Sequence, residues 1–368
     1  MKKLQNLIKR NGIFLASLLF VIMICLPQLL TGNRVVSAEE QIILSLSHNL
    51  LNLTTLRLVL LGLIVLNTTL VYGLLSSWMS KRRAGLSIFM LASIPVWLLS
   101  QITIPRFTAA MTPLLLGLWA FDRAGRATKA TGWYTLSGLS LTTAWVLEPI
   151  GTSIVMIVSL LLLALVKPRY IKHIARQGSL VLIILAVIIA GISAADWKFG
   201  FGLQGYIVHQ LGGTVVVTTI PRVLWSGPHH YHFGLPGVPI VPVAVMALAG
   251  FGAWQLFVQR KRPRNLYILL FPIILTAIAV QFTSITTLML FSMSMICIAI
   301  WAVMGLQYLH NSWKRVFPHN KLANSLGDAL IALLLASLVM YSFWYINKAW
   351  AGSPTAQEQA QIKWNGSL

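Results

Sequence analysis

The chain has 368 residues, of which 57% are hydrophobic and only 10% charged, and its mean hydropathy is +0.79. A soluble domain carries about a quarter charged residues, so this composition excludes an ordinary water-soluble protein and requires lipid over much of the surface. The net charge of +21 suggests nucleic acid at first sight, but the basic residues form no single stripe; they sit in short clusters between apolar runs, as membrane topology signals do, and no nucleic-acid partner is expected.

A helical span needs about 20 apolar residues, and such runs recur from Gly12 to Ile346. The sequence predicts an all-α polytopic integral membrane protein with about eleven transmembrane helices. They fall roughly at 12–31, 57–78, 84–102, 107–121, 132–147, 149–166, 178–195, 237–258, 266–283, 285–307 and 325–346. Residues 1–346 are expected to form one transmembrane domain, followed by a polar extracytoplasmic tail, 347–368.

The chain opens with the basic segment MKKLQNLIKR, then an apolar stretch from Gly12 to Leu30, then Val36-Ser37-Ala38 before Glu39. This pattern fits either a secretory signal or an uncleaved first helix; the stretch is long for a signal and about right for a span. The following outer loop, 32–56, contains AEEQIILSLSHNLLNL, which suits an amphipathic helix lying on the membrane surface. The apolar run from Gly132 to Val166 is too long for one span. Glu148-Pro149 breaks it, because proline disfavours helix at the residue before it. The second large outer loop, 196–236, is rich in glycine, aromatics and histidine. A loop of that length is uncommon unless functional or disordered, and its aromatic content argues against disorder.

The Lys and Arg positions test this map. With the N-terminus inside, 21 of the 28 basic residues fall in inner segments and seven outside. Adding or removing one span would invert every later loop and destroy that bias. Glu39, Glu40, Glu148, Asp196 and Glu358 fall on the outer side, whereas Asp122 and Asp328 fall inside, Asp328 as a cap for the last span. The outer face therefore holds most of the groups capable of acid or base chemistry. Bacterial plasma membrane is the expected location, with the N-terminus cytoplasmic and the C-terminus extracytoplasmic.

Glu39 and Glu40 follow the first span closely. A carboxylate at a membrane boundary can serve as a general base on a hydroxyl or amine acceptor; two acids at the start of a helix also simply favour its macrodipole. Arg106 lies in the short outer turn TIPRFT, Arg222 in TIPRVLW, and Lys198 near the start of the same long loop. Arginine forks bind phosphate, so these cations suit a lipid-linked phosphate, or else they snorkel beside lipid headgroups. His229, His230 and His232 form HHYH, which can hold a divalent metal, although the spacing is poor for one face, no acid lies nearby in sequence, and polar loop histidines beside Tyr231 are the favoured account. Glu148 is an ionisable residue at an outer helix break, a functional candidate weakened by its expected exposure to the outer aqueous side. Asp196 opens the long loop. Cys25 and Cys297 lie in apolar runs and read as small buried side chains. No G-x-x-x-x-G-K-[ST] loop is present, which argues against a nucleotide-driven pump.

Taken in order, several features resemble the membrane domain of GT-C glycosyltransferases, closest to the protein O-mannosyltransferase and aminoarabinose-transferase-like groups. They are the basic N-terminus, the acids soon after span one, RLVLLGLIVLNTTLVYGLLSSW from Arg57, KRRAGL, the turn carrying Arg106, and the paired helices LSGLSLTTAWVLEPIGTSIVMIV. The resemblance covers roughly residues 1–260. It implies a polyprenyl-phosphate-linked sugar donor reached from the outer leaflet and a glycan, lipid or protein acceptor. It also implies an acid in the first outer loop, here Glu39 or Glu40, as base or acceptor-positioning group. Arg106 and Arg222 would hold the donor phosphate, and transfer would usually invert, with the lipid phosphate as leaving group. The chain departs from the pattern where Arg106 is followed by Phe107 and Thr108 rather than an acid, and where Glu148 stands in place of a lysine. These departures leave open a partner-dependent enzyme or a non-catalytic subunit. A lipid-carrier or polysaccharide transporter is the alternative reading.

Overall fold

The computed structural model describes residues 2–30, 53–127, 130–166, 238–239, 241–279 and 285–351. Every regular element among them is helical: α1 (Lys2–Leu30), α2 (Leu53–Trp78), α3 (Lys81–Ala92), α4 (Pro95–Thr103), α5 (Pro105–Ala124), α6 (Thr131–Leu147), α7 (Pro149–Val166), α8 (Val243–Val258), α9 (Pro263–Ala279), α10 (Ile285–Val316) and α11 (Lys321–Ala351). Four of the described helices are long and apolar enough to cross a membrane: Asn11–Leu29, Thr54–Trp78, Leu288–Val316 and Lys321–Ala349. The described part of the chain is thus all-helical, with four helices of the length and composition of membrane spans.

Prolines punctuate the sequence. α4, α5, α7 and α9 each begin on one, the position where a missing N–H costs nothing. The residues before Pro95, Pro105 and Pro149 are all forced out of the helical region: Ile94 (φ −93°, ψ 102°), Ile104 (φ −125°, ψ 90°) and Glu148 (φ −147°, ψ 85°). The expected span 84–102 is therefore two helices, α3 and α4, bent by 68°.

α10 is the central helix. It touches α3, α4, α5, α7, α8, α9 and α11, and 78% of its apolar window is buried, against 22% for α11. α11 instead shows exposed Leu322, Leu326, Leu330, Leu333, Met340 and Trp344, a helical stripe suited to lipid. α8 crosses α10 where Gly252 meets the Trp301 backbone and Gly305 meets Leu248, the small-residue approach by which helices pack in lipid. Pro272 lies inside α9 and cannot donate to the Ile268 carbonyl four residues back. The Trp301 indole N–H takes that carbonyl at 3.1 Å, fastening α9 to α10. Cys25 and Cys297 are both buried free thiols, as expected.

α2 and α5 run parallel: Trp78 Nε1 donates to Asp122, and Thr108 and Asn67 both meet Gln101. α6 returns antiparallel along α5, with the Ser137 hydroxyl on the Gly117 carbonyl at 2.9 Å. One end of the bundle gathers Trp78, Asp122, Arg126 and Arg264, because Arg126 donates to the Ser77 carbonyl and Arg264 to the Trp78 carbonyl. Lys81, Arg82 and Arg83, which follow Trp78, belong to this basic end. Arg57, Arg106 and Glu148 lie at the opposite end.

Two local expectations need correction. Asp328 does not cap the last helix. α11 begins seven residues earlier, where Asn320 Oδ1 accepts from the Ala323 N–H at 3.0 Å; Asp328 lies near His310, 3.7 Å away. The helix also continues to Ala351, past Asn347, where the polar tail was expected to start.

Candidate functional site

The described part of the candidate site is built on the break between α6 and α7. The Glu148 N–H still closes the last turn of α6 on the Ala144 carbonyl (2.8 Å), while the Glu148 carbonyl opens α7 by accepting from Thr152 (3.2 Å). Trp145 Nε1 spans the break to Ser153 Oγ at 3.2 Å. The break is thus a fixed corner with bonds on both sides.

Each helix end there meets a charge of the matching sign. The Leu147 carbonyl is the last of α6, at the negative end of its dipole. Arg106, from the first turn of α5, donates to it through Nε (3.2 Å) and Nη2 (3.0 Å). Glu148 directly precedes Pro149 and occupies the capping position of α7, at the positive end. The sequence reading placed Glu148 at an aqueous corner; instead its side chain is fully buried. Gly151 makes room for it: a Cβ there would press on Met289 Sδ of α10 at 2.8 Å and touch Glu148 Cγ at 3.4 Å. Thr152, whose N–H meets the Glu148 carbonyl, is also fully buried and carries a hydroxyl with no hydrogen-bond partner among the described residues.

Arg57 is at the same end, in the first turns of α2, and is only 1% exposed. The sequence places it only among the seven basic residues of the outer segments. Burial of a guanidinium next to an apolar core is costly without compensation, so this position is more than a headgroup contact. Below it, Asn67 Nδ2 donates to Gln101 Oε1 (2.9 Å), Gln101 Nε2 donates to the Trp97 carbonyl (3.2 Å), and Thr108 Oγ1 donates to the Gln101 carbonyl (2.6 Å). This network locks α2, α4 and α5 together beneath Arg57 and Arg106. Sequence reasoning missed it; the available signal was the presence of amides inside apolar spans, where hydrogen bonds across helices are the common use.

The structure therefore brings Arg106 to the helix break that carries Glu148, and Arg57 lies buried toward the same end of the bundle. Glu39, Glu40, Lys198, Arg222, Asp196, His229, His230 and His232 lie outside the described residues. No group of three His, Cys, Asp or Glu side chains among the described residues could hold a metal ion. Chemically, the corner offers a desolvated carboxylate and two guanidinium groups at one end of the bundle. Part of the Arg106 fork is committed to the backbone. Compared with models of known protein families and with curated proteins, the chain matches none.

Proposed function

We propose that the chain is a membrane glycosyltransferase that moves a sugar from a polyprenyl-phosphate-linked donor to a glycan, lipid or protein acceptor on the extracytoplasmic face. In this reading the N-terminus is cytoplasmic, the chain crosses a bacterial plasma membrane about eleven times, and the Arg106 end faces outward. The observation that carries it is Arg106 bound to the helix break of buried Glu148, at the end opposite the basic clusters and toward which buried Arg57 also lies. That grouping suits an anionic lipid-linked substrate entering from the outer leaflet.

The reaction breaks the bond between the anomeric carbon and the phosphate oxygen, and the acceptor oxygen or nitrogen forms the new bond on the opposite face. The bonding pair leaves with polyprenyl phosphate, and the acceptor proton passes to a carboxylate. Glu39 or Glu40 is assigned that base role by the resemblance, with Arg222 and Lys198 assisting Arg106 at the phosphate. Glu148 holds the corner at which the phosphate binds.

A carrier for the same lipid is the second reading, favoured by the complete burial of an ionisable residue among helices. Vesicles containing the purified protein and a labelled polyprenyl-phosphate sugar separate the two. Release of polyprenyl phosphate with label on an acceptor supports transfer; label that reaches the other leaflet intact supports the carrier. Glu39→Gln with Glu40→Gln is expected to reduce transfer by about a hundredfold, and undiminished transfer removes the base assignment. Glu148→Gln is expected to keep the fold and lower turnover by about tenfold, the scale of one charge-assisted contact.

A further inference from the structure

α8 and α9 are short for membrane helices. They have 16 and 17 residues, which at about 1.5 Å each gives lengths of about 24 and 26 Å. The hydrocarbon core of a bilayer is about 30 Å thick. A short apolar helix is accommodated by local thinning of the bilayer and by snorkelling of its flanking residues. The turn that joins α8 to α9 is therefore drawn into the headgroup layer. α10 and α11, with 32 and 31 residues, are long enough for their own connection to project beyond it.

The composition of the turn matches that depth. Phe257 to Arg264 are all exposed; four of these residues are cations, and 243–266 contains no Asp or Glu. Trp254 leads into the turn at 61% exposure, and its ring stacks on Phe257 with centroids 6.3 Å apart. The Arg260 guanidinium lies over the Phe257 ring, 4.6 Å from its centroid. Exposed aromatics with a cation above them suit the boundary between acyl chains and headgroups. The backbone here is fixed. The Arg260 N–H donates to the Phe257 carbonyl and the Arg262 N–H to the Gln259 carbonyl, which also accepts from Nδ2 of buried Asn265 at 3.2 Å. Arg264 is committed to the Trp78 carbonyl, so Arg260, Lys261 and Arg262 remain to meet a partner. Other basic segments at this end carry acids of their own: Arg126 is paired with Asp122, and the α10–α11 hairpin has Asp328 beside His310.

We propose that the α8–α9 turn is a contact site for the headgroups of anionic phospholipids, with Trp254 and Phe257 at the acyl boundary and Arg260, Lys261 and Arg262 on the phosphates. The short helices and the exposed ring pair select a lipid over a soluble acidic partner, which gains nothing from cations held at headgroup depth. Each cation near the surface adds to the attraction for anionic lipid. The site lies at the end opposite Arg106 and does not rest on the transferase reading.

The test uses the full-length protein in phosphatidylcholine nanodiscs that carry a minor fraction of phosphatidylglycerol, with retained lipid read by native mass spectrometry. Wild type is expected to retain phosphatidylglycerol in preference to phosphatidylcholine. Arg260→Gln, Lys261→Gln and Arg262→Gln combined, all at exposed positions, should lower that preference about tenfold. Trp254→Ala keeps the cations and should lower it by a smaller factor. Lys314→Gln, Arg315→Gln and Lys321→Gln combined remove the same charge from the α10–α11 hairpin and should leave the preference unchanged. An unchanged preference in the first triple variant overturns the proposal and leaves the turn to a soluble acidic partner. Equal losses in the two triple variants also overturn it, because net charge and not this turn would then set the preference.

Discussion

Arg106 closes the C-terminal end of α6 by donating from Nε and Nη2 to the Leu147 carbonyl, at 3.2 and 3.0 Å. Glu148, the next residue, sits buried at the start of α7. Arg264 on the Trp78 carbonyl and Arg126 on the Ser77 carbonyl close α2 in the same way. The last carbonyls of a helix have no partner within it, so arginine serves as donor and dipole partner together.

The Arg106 contact makes a stability prediction separate from any substrate role. Arg106→Ala should cost about 1–2 kcal/mol, read as a shift in detergent unfolding, and Arg106→Lys should recover part of it. If Arg106 acts only on substrate, unfolding will not move and the change will appear in KM alone.

Pro272 and Trp301 form a compensating pair. Trp301→Phe removes the donor to the Ile268 carbonyl and should destabilise by about 1–3 kcal/mol. Adding Pro272→Ala restores a backbone N–H for that carbonyl. The double variant should therefore be more stable than Trp301→Phe alone when both are unfolded in the same denaturant series. A double variant that is less stable contradicts this account.

At the α8–α10 crossing, a Cβ on Gly252 would collide with the Trp301 backbone and one on Gly305 with the Leu248 backbone. Neither neighbour is a flexible side-chain tip. Gly252→Ala and Gly305→Ala should each cost about 3 kcal/mol or more. Gly250 has open space around it, so Gly250→Ala should stabilise by about 0.5–1 kcal/mol through helix propensity. Thermal unfolding of the three variants side by side checks the contrast.

The proposed orientation is open to chemical labelling. Cys25 and Cys297 are buried, so the native background should be low. In intact cells an impermeant maleimide should label Lys348→Cys, while Arg262→Cys should label only after the membrane is opened. The reverse pattern would invert the topology, and equal labelling of both would mean an even number of crossings between them.

Much of the helical layout follows from the sequence alone. Apolar runs need lipid whatever their partners, and proline acts on its own neighbour, so Glu148-Pro149 ends one helix and begins another by local sterics. The same rule, applied to Ile94-Pro95, would have divided the run 84–102 in advance. Hydropathy there is continuous, so composition alone does not mark the break.

Tertiary packing decided what the polar residues do. Hydropathy ranks Arg57, Arg106 and Glu148 equally as charges near span ends. Only the packed helices bury Arg57 and Glu148 and set Arg106 against the Leu147 carbonyl, since those contacts join residues from different helices. The pairing of Asn67 with Gln101 and the approach of Gly252 to Gly305 have the same origin. Local sterics and transfer free energy belong to each stretch of chain by itself, while burial and hydrogen-bond partnership belong to surfaces that meet only once the helices assemble.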